Sequence, residues 1–120
     1  MAISQEFLDF VSEALETFGP VDTRRMFGGA GLFRDGLMFA LIADEQVYFK
    51  TDDENRPDFE AEDCPPFIYE TKDGRRTVMS YSLAPERLYD DPEEMAQWAR
   101  KAFEAAVRAD AGKKKSKRKT

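Results

Sequence analysis

Residues 24–33 read Arg24-Arg25-Met26-Phe27-Gly28-Gly29-Ala30-Gly31-Leu32-Phe33, and this glycine-rich run has no helical spacing. Glycines inside an apolar run typically mark a strand that bulges or bends sharply. The segment 29–31 also begins the G-x-G pattern of phosphate-binding loops. However, the third glycine is missing, no Lys-Ser or Lys-Thr pair follows, and the run leads into a strand instead of a helix. The run therefore favours a bent strand over a phosphate site.

Two Asp-Gly pairs predict hairpin turns on the C-terminal side of this run. Asp35-Gly36 precedes the apolar segment 37–43, and Asp73-Gly74 separates two further strand-like segments, 67–71 and 77–83. An Asp-Gly pair supplies the positive φ angles that tight hairpin turns require. Another tight turn is expected at Asp44-Glu45, between the segment 37–43 and the next strand, 47–50. The sheet is therefore predicted to be antiparallel.

Helical spacing of apolar residues marks both ends of the chain. The first helix is predicted from about Gln5 to Phe18, with Ser4 as N-cap and Gly19-Pro20 as the stop. The last helix begins at the capping sequence Asp91-Pro92-Glu93-Glu94 and is predicted to end near Ala109. A short helix is expected within 53–63. Phe7 and Trp98 are predicted to be largely buried on the two outer helices.

The order α-β(3-4)-α-β(2)-α predicts an α+β fold, a two-layer sandwich. An antiparallel sheet of five to six strands would be covered on one face by the N- and C-terminal helices. The chain is predicted to form a single domain over 1–111, followed by a disordered basic tail over 112–120. The other sheet face would stay free for a partner, but a bend in the glycine run could exchange the two faces.

Charge is distributed unevenly along the chain. Residues 1–112 hold 12 basic and 24 acidic side chains, and therefore a net charge of −12. The tail adds six cations, which are Lys113, Lys114, Lys115, Lys117, Arg118 and Lys119. Two interpretations stay open: a solvated end that keeps an acidic domain in solution, or a segment that binds nucleic acid through its phosphates.

The residue types that enzymes rely on are scarce. The chain has no histidine and a single cysteine, Cys64, so His-based catalysis and an internal disulfide are excluded. Cys64 lies before two prolines without an obvious base. The acidic run Asp52-Asp53-Glu54 fails the calcium-loop pattern and instead fits a helix N-terminus. The sequence predicts no catalytic residue, no metal site and no cofactor.

Arg24 and Arg25 are the best candidates for a partner contact in the folded body. Adjacent residues of a strand point to opposite faces of the sheet, so only one of the two can lie over a given face. The competing interpretation is an ion pair between one arginine and a carboxylate of the first helix. Both interpretations stay open.

The longest fully apolar run, 37–43, is too short to cross a membrane, and the N-terminus lacks the basic region of a secretory signal. The chain is therefore expected to be cytoplasmic, without a membrane partner.

Several motifs in fixed order resemble the TfoX N-terminal domain family, over about Phe7 to Val107. They are Arg25-Met26-Phe27-Gly28-Gly29, Leu37-Met38-Phe39-Ala40-Leu41-Ile42-Ala43-Asp44, Tyr48-Phe49-Lys50, Asn55-Arg56-Pro57-Asp58-Phe59, Phe67-Ile68-Tyr69-Glu70, Met79-Ser80-Tyr81, Asp91-Pro92-Glu93-Glu94 and Trp98-Ala99. The resemblance implies a helix-flanked antiparallel sheet of the secretion-chaperone-like type and no known enzymatic activity. It also implies a role in regulating competence genes together with the cyclic-AMP receptor protein. The chain ends where the family's C-terminal helical domain would begin.

The expected function is a non-enzymatic regulatory or protein-interaction module. Its protein partner is unidentified, with the transcription machinery among the candidates. The alternative is a nonspecific nucleic-acid-associated protein that binds through the basic tail. An unrecognised enzyme is the least supported interpretation. The sequence predicts no oligomeric state.

Overall fold

The computed structural model describes residues 4–26 and 29–118, and of 113–118 the backbone alone. Its six strands form one antiparallel sheet in the order β1-β2-β3-β4-β6-β5. The elements are α1 (Gln5–Ala14), β1 (Asp22–Met26), β2 (Gly29–Arg34), β3 (Leu37–Ala43), β4 (Gln46–Lys50), α2 (Arg56–Glu60), β5 (Pro66–Glu70), β6 (Arg76–Leu83), a 3₁₀ helix (Glu86–Asp90) and α3 (Pro92–Arg118). The predicted α+β class and element order are confirmed.

The glycine run forms two strands, so the prediction of one bent strand was wrong. β1 and β2 pair as an antiparallel hairpin, with Met26 opposite Gly29, and Gly28 lies outside the described residues. A Cβ atom at Gly29 would lie 2.3 Å from the carbonyl oxygen of Ile42, on the neighbouring strand β3. Gly29 therefore permits a close approach of two backbones, which is the second use of glycine in strands.

An irregularity in the sheet does occur, further along than predicted. The register between β2 and β3 shifts between Leu32 and Phe33. As a result, the consecutive residues Phe39 and Ala40 of β3 are both completely buried. A regular strand would turn one of them to the opposite face. The shift thus changes which residues of β3 point toward the helices.

All the predicted tight turns are confirmed. Asp35 and Gly36 have φ angles of 52° and 79°, and Gly74 has 86° at the second Asp-Gly pair. Asp44 and Glu45 have φ angles of 52° and 56° without any glycine, a conformation that costs a non-glycine residue free energy. The Ser4 hydroxyl donates a 2.9 Å hydrogen bond to the Glu45 carboxylate, which ties this turn to the start of α1.

The helix starts also follow the sequence. The Ser4 side chain accepts a hydrogen bond from the backbone N–H of Phe7, and Asp91 accepts one from Glu94 at 3.1 Å. Asp52 accepts from the N–H of Glu54 at 3.0 Å, in the turn ahead of α2. The acidic run therefore lies just before this helix, whose N-cap is Asn55.

The hydrophobic core lies between the sheet and the helices. Its largest fully buried side chains come from all three helices, the 3₁₀ helix and the central strands, and they include Phe39, Phe49, Phe59, Leu15, Leu32, Ile42, Leu88 and Met95. Phe7 and Trp98 are only partly buried against this core, which corrects the expectation that both would be largely buried. Trp98 stays at the rim because its indole N–H donates to the Glu94 carboxylate at 3.3 Å.

Both outer helices end at a different residue from the one predicted. The regular part of α1 ends at Ala14 instead of Phe18, and the chain turns at Gly19, where φ is 126°. α3 continues past Ala109 to Arg118, so the predicted end of this helix near Ala109 was wrong. The predicted disorder of the tail 112–120 stays a prediction. No proline interrupts this segment, and lysine is a good helix former.

Candidate functional site: the free face of the sheet

The sheet face that points away from the helices carries an apolar surface, here called the free face. It comprises side chains from every strand, which strand pairing and ring contacts place on one side: Arg24, Met26, Phe33, Met38, Leu41, Tyr48, Lys50, Phe67 and Tyr81. Most of these side chains are partly buried, since they cover one another. The face is therefore rich in methionine and aromatic groups, which suit a contact surface for proteins.

Gly31 organises one end of the free face. A Cβ atom at Gly31 would lie 2.7 Å from the Met38 sulfur, 2.8 Å from the Phe33 ring and 2.9 Å from the Met26 methyl group. The missing side chain of Gly31 lets these three groups meet over β2. Methionine side chains adapt to irregular surfaces, so this end of the face can adjust to a partner.

Aromatic rings form the other end of the free face. The rings of Tyr48 and Phe67 meet edge to face with their centroids 5.0 Å apart. The Lys50 ammonium lies 5.2 Å from the centre of the Tyr81 ring. Burial raises the pKa of Tyr81 to about 12, so its hydroxyl stays protonated at neutral pH and donates to the Met38 carbonyl at 3.5 Å. This end is consequently more rigid than the methionine end.

Arg24 and Arg25 point to opposite sides of β1, as predicted. The Arg24 guanidinium lies 4.9 Å from the centre of the Phe33 ring, on the free face, and the Arg24 side chain is exposed. Arg25 donates a 3.3 Å hydrogen bond to the Gln5 side chain of α1, on the helix side. Arg24 is thus placed to contact a partner on the free face, whereas Arg25 helps to hold α1 against the sheet. The partner contact itself stays a prediction.

A third arginine, Arg34, has a structural role that the sequence analysis did not single out. Its guanidinium lies 4.5 Å from the centre of the Phe18 ring and 5.7 Å from that of Phe103. It also donates a 3.0 Å hydrogen bond to the Phe18 carbonyl, at the end of the turn that follows α1. The sequence gives no signal for this, because one ring lies in the turn after α1 and the other in α3, at opposite ends of the chain.

A groove of about 750 Å³ lies between α1, the 3₁₀ helix and the loop that precedes β5. The rings of Phe7, Phe10 and Tyr89 line one side of it, and Cys64 lies on the other. Burial, assisted by the charge of Glu62, raises the pKa of the Cys64 thiol, so the thiol is protonated at neutral pH. A protonated thiol is a poor nucleophile, and the cation Arg87, which also lines the groove, lowers the pKa of Cys64 by less than burial raises it.

Neither a metal-ligating cluster nor a membrane-spanning helix occurs within the described ranges, 4–26 and 29–118. No group of three or more potential metal-ligating side chains occurs within these ranges. Among their helices, none has the length and apolar character needed to cross a membrane.

The basic segment lies at the far end of α3. Residues 113–118 continue that helix, and Lys119 lies outside the described residues. A nucleic-acid contact by Lys113, Lys114, Lys115, Lys117, Arg118 and Lys119 therefore stays a prediction. Because α3 begins next to the 3₁₀ helix, its far end, and with it the basic segment, lies at a distance from the groove.

Comparison with known proteins supplies the family. The family model of the TfoX N-terminal domain matches residues 13–106. The chain is also 31% identical over 81 residues to the DNA transformation protein TfoX1 of Aliivibrio fischeri. The match covers 68% of this chain but 37% of that relative, so the chain spans little more than a third of its length. Most of the fold described above, from the end of α1 to the middle of α3, falls within the matched region, and the chain belongs to the TfoX N-terminal domain family.

Proposed function

We propose that the chain is a non-enzymatic protein-interaction module that regulates competence for DNA transformation by docking a protein on its free face. The observation that carries this proposal is the free face itself. It is an open sheet surface of methionine and aromatic side chains, in a chain that contains no histidine. The similarity to the DNA transformation protein TfoX1 of Aliivibrio fischeri supports the link to transformation.

Charge narrows the kind of partner that fits the free face. The free face carries the cations Arg24 and Lys50 and, beside Arg24 on the same side of β1, the carboxylate of Asp22, although residues 1–112 carry a net charge of −12. Each cation lies over an aromatic ring, at 4.9 Å and 5.2 Å from the ring centre. A partner with apolar side chains flanked by carboxylates would match this arrangement, since charge complementarity selects among partners.

The first prediction reverses the charge of Arg24. In a strain from which the chain has been deleted, Arg24→Glu is expected to fail to restore transformation, whereas the wild-type chain restores it. The control is Arg100→Glu, an equal charge reversal at an exposed residue of α3, away from the free face. It should restore transformation fully, because surface substitutions away from a contact usually change stability by less than about 0.5 kcal/mol. The frequency of transformed colonies is the measurement.

Two outcomes would contradict the proposal in different ways. If deletion of the chain leaves the transformation frequency unchanged, a role in competence is wrong. If deletion lowers the frequency but Arg24→Glu restores it as well as the wild type does, the free face is not the docking surface. Circular dichroism of both variants should match that of the wild-type chain, so that misfolding is not mistaken for lost docking.

The charge of the tail favours a second candidate function, nonspecific association with nucleic acid. Six cations lie within 113–119, on the extension of α3 and its continuation. Such a segment neutralises phosphates without reading sequence, and the acidic body opposes the binding.

The second prediction tests this candidate on duplex DNA. Six phosphate contacts give a log–log dependence of affinity on salt no steeper than about −5, with a Kd of roughly 10⁻⁴ to 10⁻⁶ M near physiological salt. Fluorescence anisotropy with two unrelated duplexes should give the same affinity for both. A chain cut after Gly112 is expected to lose the binding. Sequence-specific binding by the shortened chain would contradict the candidate, as would no binding at low salt by the full chain.

A further inference from the structure

The two edges of the sheet differ in how well they are protected. β1, at one edge, carries the charged residues Asp22, Arg24 and Arg25, and charges on an edge strand discourage pairing with another strand. β5, at the other edge, begins with Pro66 and ends with Glu70, and the three residues between them, Phe67, Ile68 and Tyr69, are apolar. The β5 edge is therefore better suited than the β1 edge to pair with a further strand.

Exposed apolar side chains concentrate at this edge. Ile68 is 40% exposed, Tyr69 is 46% exposed and Val78, on the adjacent strand β6, is 66% exposed. Among the other large apolar residues of the described ranges, only Phe10 and Val107 have similarly exposed side chains. Ile68 and Val78 lie opposite each other on one face of this hairpin and Tyr69 lies on the other, so both faces are apolar at this edge.

The backbone of β5 shows which of its polar groups point outward. The N–H of Thr71 donates to the carbonyl of Arg75 at 2.8 Å, so these two residues form a hydrogen-bonded pair of the β5–β6 ladder. Such pairs alternate along an antiparallel ladder, and the register places Tyr69 opposite Thr77 in the next one. Residues between hydrogen-bonded pairs turn their N–H and C=O groups away from the partner strand. Ile68 and Glu70 therefore present their N–H and C=O groups to the open edge.

We propose that a second copy of this chain pairs with the β5 edge, antiparallel and with Tyr69 on the two-fold axis. In this register Ile68 lies opposite Glu70 of the second copy, and every outward N–H meets an outward C=O. Pro66, which has no N–H, lies just beyond this pairing and leaves no donor without a partner. The two sheets become one continuous sheet, in a symmetric interface of the kind that most homodimers use.

Charge favours a second copy over an unrelated strand. The segment 72–76 is basic, because Lys72, Arg75 and Arg76 outweigh Asp73, which pairs with Arg75. The segment just before β5 is acidic, with Glu60, Glu62 and Asp63. Antiparallel pairing brings the basic turn of each copy toward the acidic segment of the other. Parallel pairing would bring like charges together, so the charge pattern selects the same orientation as the backbone groups.

The third prediction tests this dimer with the full chain. Sedimentation equilibrium is expected to show a species of twice the 13.8 kDa chain mass that dissociates on dilution. Tyr69→Lys places two like charges opposite each other and should weaken association at least about tenfold. Val107→Lys adds the same charge at an exposed residue of α3 that is 42% exposed, and it should leave association unchanged.

A cysteine cross-link tests the register itself. Directly opposite residues that are not hydrogen-bonded have Cβ atoms roughly 4.5–5.5 Å apart, near the Cβ separation that a disulfide requires. In a Cys64→Ser background, Tyr69→Cys should therefore form an intermolecular disulfide on mild oxidation, and Ile68→Cys should not. A chain that stays monomeric at all concentrations would overturn the proposal. So would a dimer that Tyr69→Lys does not weaken, or a foreign protein that pairs with a monomeric chain at β5.

Discussion

Replacing Phe39 by alanine is expected to lower the free energy of unfolding by about 3–5 kcal/mol. The Phe39 side chain is completely buried between the sheet and the helices. Its ring centroid lies 5.1 Å from that of Phe18 and 6.5 Å from that of Phe103, so it joins β3 to the turn after α1 and to α3. Alanine would leave a cavity where three elements meet, and none of the three can move in without losing other contacts.

Urea denaturation followed by tryptophan fluorescence measures this loss. The slope of the unfolding free energy against urea should stay constant, so that a shifted midpoint reports stability. Phe39→Leu is the milder substitution, and it should lower the free energy of unfolding by less than Phe39→Ala does, because leucine keeps most of the buried volume. Phe10→Ala is the control at a ring that is 43% exposed, and it is expected to lose roughly 1 kcal/mol or less. A loss below about 1 kcal/mol for Phe39→Ala would mean that this ring is not part of the core.

Replacing Gly29 by alanine is expected to cost at least about 2 kcal/mol, although it adds a single methyl group. The added Cβ would lie 2.3 Å from the carbonyl oxygen of Ile42, a distance that two non-bonded atoms cannot share. That oxygen belongs to the backbone of β3, which lies in the middle of the sheet. To remove this steric overlap, β2 and β3 must move apart, and hydrogen bonds between them are then lost.

Alanine substitutions at two other glycines should cost less stability than Gly29→Ala, and the three losses can be ranked. At Gly31 an added Cβ meets the flexible side chains of Met38 and Met26, which can move, so Gly31→Ala should cost less than Gly29→Ala. At Gly112, in α3, nothing lies within 4 Å, and alanine should be neutral or stabilise by up to about 1 kcal/mol. Thermal unfolding of the three variants tests the order. Equal losses at Gly29 and Gly112 would contradict the close approach of β2 and β3.

Local chemistry allowed much of the fold to be predicted. Ser4 and Asp91 cap their helices, and the Asp35-Gly36 and Asp73-Gly74 pairs form turns, because each of these motifs acts on backbone groups a few residues away. The element order and the antiparallel sheet followed from those turns. The end of α3 was not predicted, since nothing in the sequence after Ala109 forces a helix to stop.

Contacts between distant segments account for the errors. Gly29 serves the approach of β2 to β3, and its own sequence neighbours contain no sign of Ile42. Phe7 and Trp98 have core-like spacing, yet they lie at the edge of the core, where the layer ends. The spacing of apolar residues shows which face of the helix a side chain lies on, but it does not show whether another element covers that side chain.

In the candidate site, too, local features could be predicted from the sequence, and features that depend on strand pairing could not. Alternation along a strand correctly predicted that Arg24 and Arg25 point to opposite sides. The residues of the free face could not be predicted, because the register shift between Leu32 and Phe33 places both Phe39 and Ala40 on the helix side. The unprotected edge at β5 also required the strand order of the sheet.

By itself the sequence determined the turns, the helix starts, the fold class and the absence of histidine chemistry, since these depend on neighbouring residues or on composition alone. Only the tertiary structure decided that Arg24 lies over Phe33 on the free face, that Arg34 packs against Phe18, and that β5 forms an open edge. The physical reason is that burial and pairing are properties of segments far apart in the chain. A single register shift or one close backbone approach reassigns them without changing any local signal.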